Sequence, residues 1–141
     1  MQKRSKAREL ALQILYQFDF ETYTTESTKY VFSEFEITDP EINEFSKLLI
    51  SGVIENVDSI DKLIEVTLIN WKLSRISLID KTLLRMGLFE IVKIDGIEKN
   101  ITISEIIKLT KNYSDAEAYK FINGILDRFD KTGDFKTALR E

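Results

Sequence analysis

Residues 104–129, SEIIKLTKNYSDAEAYKFINGILDRF, read as two helices joined by a capped turn. In the first, Ile103, Ile106, Ile107 and Thr110 recur at i, i+3, i+4 and i+7, the spacing of one helix face. The pattern breaks at Asn112, Tyr113 and Ser114. Ser114 offers its hydroxyl as an N-cap there, and Glu117 three residues on completes a capping box. In the second helix Ala118, Ile122, Ile125 and Phe129 form the expected buried stripe, widened by Tyr119 and Leu126. Phe121 stands about a quarter turn off that stripe on the 3.6-residue period, and Lys120 and Asp127 point away from it. An aromatic at the edge of a core face, beside a lysine, suits a binding partner; it equally suits a plain core helix.

Working outward, Asp95-Gly96 signals a turn. Ser77 opens another capped helix, with Asp80 at the N3 position of an S-x-x-D box. In it Leu83, Leu84, Met86, Gly87, Phe89, Ile91 and Val92 leave so little polar surface that the helix is expected to be central. Arg85 and Glu90 inside that run read as partners of buried backbone or of opposite charges rather than as catalytic groups. Trp71 reads as a plug in the core or between helices.

Further upstream, Asp39-Pro40 begins a helix as N-cap and first helical residue, with Ile42, Phe45, Leu49 and Val53 as its core stripe. Residues 56–59, NVDS, read as its end, followed by a separate capped helix to about residue 69. A first helix is expected over residues 5–20, with Ala7, Leu10, Ala11, Ile14, Leu15 and Phe18 inward and Lys6, Glu9, Gln13 and Tyr16 outward. Residues 21–39 carry little pattern and read as a loop with one short helix near 29–35. The expectation is an all-α chain of about seven helices in two packed sub-bundles, forming one domain over residues 1–141.

Composition narrows the chemistry. A chain of 141 residues is long enough to bury roughly two-thirds of its unfolded surface. No apolar run of about 18 residues and no signal-peptide pattern is present, so a cytoplasmic protein without a membrane partner is expected. The absence of cysteine excludes disulfides and thiol catalysis, and the absence of histidine removes the commonest general base and metal ligand. No phosphate-binding loop, dinucleotide fingerprint or calcium loop appears, and no cofactor or metal is implied. The closest carboxylate pairs, Asp115 with Glu117 and Asp58 with Asp61, stand at expected helix starts, where acids favour the helix dipole. An enzyme is not expected.

Charge is uneven. The net charge is -4, yet Lys3, Arg4, Lys6 and Arg8 give the first eight residues four cations and no acid. Of 20 bases, 16 then face all 24 acids over the remaining residues, a balance of -8. A basic end on an acidic body suits a local polyanion site, and it also suits a solubilising tail. With Tyr16, Lys120 and Phe121, the basic end could serve single-stranded RNA, cations for phosphate and aromatics for unstacked bases.

Four segments, in order, resemble one family. KFINGILD at 120–127 is similar to the K-F-V-N-G-V-L-D ending of the NusB transcription antitermination proteins. ISEIIKLTKNYS at 103–114 resembles their preceding helix, and KARELALQILYQFDF near the start and IDKTLLRMGLFEI in the middle also fit. The resemblance covers most of the chain outside about residues 22–39. It implies an all-helical fold that binds the boxA element of nascent RNA jointly with the ribosomal protein NusE, in an antitermination complex on RNA polymerase. The RNA-binding positions it implies are Lys3, Arg4, Lys6, Arg8, Tyr16, Glu117, Lys120, Phe121 and Asn123, and Asp80 matches a position for contact with NusE.

The chain departs from the family in three places. Its basic start is short and half lysine, Ser104-Glu105-Ile106 replaces a usual Asn-Glu-Ala, and Phe89 replaces a common tyrosine. A modest basic patch on an acidic body implies RNA binding that is weak alone and stronger with the ribosomal partner. Two readings stay beside this one. One is a helical protein-interaction module with no RNA contact. The other is the related domain of rRNA cytosine methyltransferases, set aside because no catalytic domain follows before Glu141. Relatives that dimerise use the surface others keep for RNA, so a homodimer stays open.

Overall fold

The computed structural model describes residues 2–17, 39–68 and 72–130. They form five α-helices: α1 (Gln2–Tyr16), α2 (Pro40–Thr67), α3 (Leu78–Lys93), α4 (Lys99–Tyr113) and α5 (Ala118–Leu126), with a 3-10 turn at Leu73–Arg75. Among the described residues there is no strand, so the fold class is all-α. The count is five rather than about seven. One difference is that residues 56–59 do not end a helix, because α2 runs unbroken through them. Asn, Asp and Ser are only mediocre helix formers, weaker than alanine by some tenths of a kcal/mol each, and no glycine or proline stands there to enforce a break. The short helix expected near residues 29–35, Phe18 and Trp71 all lie outside the described residues.

The chain divides into two compact units, Met1–Glu55 and Asn56–Glu141. In the first, Ala7, Ala11, Leu12, Ile14 and Leu15 of α1 and Phe45, Leu49, Ile50 and Val53 of α2 are buried. Asp39 caps α2 as expected: its Oδ1 accepts from the backbone N–H of Glu41 at 2.9 Å and of Ile42 at 3.2 Å. Pro40, at the first helical position, loses no hydrogen bond there.

The second unit is organised around α3. Every residue from Thr82 to Val92 is buried. A helix buried on all sides needs neighbours on all sides, and α3, α4 and α5 pack pairwise on one another. At Gly87 both neighbouring helices come close to α3. A Cβ there would lie 2.7 Å from Leu126 Cδ1 of α5 and 3.3 Å from Ile106 Cγ1 of α4. The two buried charged residues of α3, Arg85 and Glu90, have polar partners, as the sequence suggests. Arg85 makes a fork to Asp61, with Nε to Oδ1 at 2.8 Å and Nη2 to Oδ2 at 2.9 Å. Glu90 Oε1 accepts from the hydroxyl of Thr102 at 3.0 Å.

Both ends of α3 are locally coded. Ser77 Oγ accepts from the Asp80 N–H at 3.2 Å, and the turn after α3 holds Gly96 at φ 84°, a left-handed conformation that glycine adopts without strain. The α4–α5 junction differs from the expectation. Ser114 ends α4 instead of capping the next helix, and its hydroxyl donates to Asp80 Oδ1 at 2.7 Å. Asp115 takes the capping role: its Oδ1 accepts from Glu117 N and Ala118 N, each at 3.1 Å. A charged acceptor bonds helix-start amides more strongly than a hydroxyl does, which leaves Ser114 for α3. Ala118, Ile122, Ile125 and Leu126 of α5 are buried as the stripe predicts, and Phe129, expected in the same helix, is buried beyond its end.

Candidate nucleic-acid interface

In the first unit the basic start of α1 meets the start of α2. Arg4 and Arg8, four residues apart on one face of α1, both reach the Phe45 ring, and Lys3 reaches Asp39. Lys3 Nζ lies 3.1 Å from Asp39 Oδ2. That hydrogen-bonded contact raises the lysine pKa above its ordinary value. The same contact, helped by the capped amide of Ile42, lowers that of the carboxyl. One carboxylate thus caps α2 and anchors the tip of α1.

The arginines use an aromatic ring. The Arg4 guanidinium carbon lies 5.0 Å from the centre of the Phe45 ring, and that of Arg8 lies 5.2 Å from it. Both are within cation–π range. Arg4 is exposed, whereas Arg8 is only 2% exposed. Of the four cations expected to serve RNA, Arg8 is thus a buried strut, Lys3 is engaged by Asp39, and Arg4 and Lys6 face solvent. Arg4, Glu41, Glu44, Phe45, Lys47, Leu48 and Ser51 line an open groove of about 640 Å³. Tyr16, 47% exposed, stands at the far end of α1, about 18 Å along the axis from Arg4 at 1.5 Å per residue.

In the second unit Glu117, Lys120 and Asn123 are exposed along one side of α5 and its leading turn, and Phe121 is half-buried. Lys120 Nζ lies 3.5 Å from Glu117 Oε2 and 5.9 Å from the Tyr119 ring centre. Lys111, at the end of α4, reaches the same ring at 4.9 Å. Asp80, half-buried, holds Ser114. The structure therefore groups Lys3, Arg4 and Arg8 in one unit and Glu117, Lys120, Phe121 and Asn123 in the other.

Sequence reasoning missed Phe45 as an arginine seat and Lys111 with Tyr119 as partners of Lys120. The i, i+4 arginines in α1 and the aromatic beside Lys120 were the available signals. Among the described residues, no group of histidine, cysteine, aspartate or glutamate is arranged to hold a metal ion. No described helix is long and apolar enough to cross a membrane.

Fold and site define an all-helical protein whose two units each seat lysine or arginine cations on an aromatic ring. Residues 5–131 match the NusB family. The transcription antitermination protein NusB of Bacillus cereus (strain B4264) is 40% identical over 131 residues, 92% of this chain and 98% of its own. NusB of T. maritima superposes with a TM-score of 0.79 at 32% identity, covering 89% of this chain and 88% of that one. A crystal structure of antitermination factors NusB and NusE in complex with dsRNA contains a chain with a TM-score of 0.77 at 29% identity, covering 91% and 96%. This chain belongs to the NusB family.

Proposed function

We propose that this chain is a transcription antitermination factor that binds the boxA element of nascent ribosomal RNA together with the ribosomal protein NusE. It would act on transcribing RNA polymerase in the cytoplasm, by binding rather than by catalysis. The observation that carries this reading is the family match over residues 5–131, a span that contains Lys6, Arg8, Tyr16, Asp80, Glu117, Lys120, Phe121 and Asn123. The likeness to the NusB chain of a NusB–NusE–RNA complex supports it. In this reading the exposed Arg4 and Lys6 take phosphates, and Tyr16 and Phe121 take unstacked bases. Lys3 and the buried Arg8 fix the end of α1 from behind, and Asp80 contributes to the NusE surface.

The test is fluorescence anisotropy of a labelled single-stranded boxA RNA, with and without NusE, at two salt concentrations. Arg4→Glu/Lys6→Glu and Phe121→Ala serve as variants. The expected result is salt-sensitive binding that tightens with NusE, is abolished by the charge reversal and is weakened by Phe121→Ala. No sequence-selective binding even with NusE present would leave a helical protein-interaction module instead.

A further inference from the structure

Lys111 and Tyr119 lie outside the RNA-binding positions that the family resemblance implies, yet they share one surface feature with Lys120. Lys111 sits in the last turn of α4, and Tyr119 and Lys120 sit in the first turn of α5. The two helices thus bring two ammonium groups to one aromatic ring, at 4.9 and 5.9 Å from its centre. Both lysines are exposed, and the ring is half-buried. Among the described residues no carboxylate pairs with Lys111, and the Glu117 that meets Lys120 at 3.5 Å is itself 81% exposed. An exposed pair of that kind is weak and easily exchanged for another anion.

Two like charges on one ring repel each other, and an anion beside both relieves the repulsion. The ring limits the rotamer freedom of two long side chains, so less ordering is left to be lost on binding. A phosphodiester oxygen has the charge and size for such a place. Lysine is a point-charge donor that accepts phosphate without the planar geometry arginine requires.

We infer that Lys111 and Lys120 form a two-cation clamp for one RNA backbone phosphate, with Tyr119 as the positioning residue that holds both. The inference rests on the RNA-binding reading above and extends that surface from α5 onto the end of α4.

The discriminating readout is the salt dependence of boxA RNA binding by the full chain in the presence of NusE. Each lost phosphate contact on a single strand lowers the slope of log K against log salt by about 0.7. Lys111→Gln/Lys120→Gln is expected to lower it by that amount, and Lys111→Gln alone to weaken RNA binding while leaving the thermal midpoint unchanged. Tyr119→Phe is expected to keep the slope, and Tyr119→Leu to reduce it in the parent but not in a Lys111→Gln/Lys120→Gln background. A Tyr119→Leu effect of equal size in both backgrounds would make the ring merely structural and overturn the clamp. Unchanged RNA affinity for Lys111→Gln, with the parent protein still binding RNA, would overturn the clamp and leave the antitermination reading standing. Absence of RNA binding by the parent would overturn both.

Discussion

The hydroxyl of Ser114 donates to the carboxylate of Asp80 at 2.7 Å, tying the end of α4 to the first turn of α3 across 34 positions of sequence. Asp80 thereby serves the fold twice: its backbone N–H is capped by Ser77, and its side chain holds the residue from which the chain turns toward α5. The two roles separate by mutation. Asp80→Ala leaves the Ser77 cap intact and is expected to destabilise by about 1.5–3 kcal/mol, the range for losing a hydrogen bond to a charged group. Ser77→Ala is expected to cost about 1 kcal/mol through the cap alone. Urea denaturation measures both. A loss of NusE affinity in Asp80→Asn at unchanged stability would identify the carboxylate as a partner contact as well.

The fork between Arg85 and Asp61 is largely shielded, with the arginine side chain 7% and the aspartate 22% exposed. Asp61→Ala removes the fork partner of a buried guanidinium and is expected to cost roughly 3 kcal/mol, whereas the double substitution Asp61→Leu/Arg85→Met recovers much of that loss. If the double variant is no more stable than Asp61→Ala in denaturant titrations, the cost does not come from the buried charge losing its carboxylate.

At Gly87 the side chain of Leu126 fills the space a Cβ would need. Gly87→Val is expected to destabilise by about 1–3 kcal/mol through overpacking, although valine is the better helix former. Leu126→Ala opens space at the same point, so the two substitutions should combine less than additively. Thermal unfolding of the four proteins of the cycle decides it.

The Lys3–Asp39 pair implies a pH window. The folded state lowers the Asp39 pKa below its ordinary 3.8, so its contribution is present above that value and is lost as pH falls through the lowered one. The Lys3 pKa is raised above 10.5, so its contribution is present below that value and is lost as pH rises through the raised one. The anchor of α1 should hold across the neutral range and release at both extremes. An NMR titration of the Asp39 carboxyl should move back toward 3.8 in Lys3→Ala; an unmoved midpoint would assign the shift to the helix cap alone.

Phe45 seats two arginines. Phe45→Leu keeps most of the apolar volume but removes the ring face, so a stability loss of about 1–2 kcal/mol is expected from the two cation–π contacts. RNA affinity should fall with it, because Arg4 loses its fixed position. Unchanged RNA affinity would place Arg4 outside the interface.

The features legible in the sequence are those whose cause lies within a few residues. Asp39-Pro40, the Ser77 cap, the Asp95-Gly96 turn and the all-round apolar run of α3 each carry their own local reason, and each stands in the structure as the sequence implies. The NusB resemblance was equally readable, because the described parts of the segments that carry it fall mostly within single helices. What tertiary structure decided is where local preferences were weak or tied. Residues 56–59 stay helical because no strong breaker opposes the continuous helix. Ser114 had two possible uses, as a local cap or as a partner of Asp80. Asp115 took the capping role, and the packing of α4 against α3 set the other. Arg8 looked like a surface cation until Phe45 covered it, and Lys111 had no visible role until α5 brought Tyr119 beside it. A cap or a surface charge is worth about 1 kcal/mol, no more than a single tertiary contact, so which one prevails depends on residues far apart in the chain.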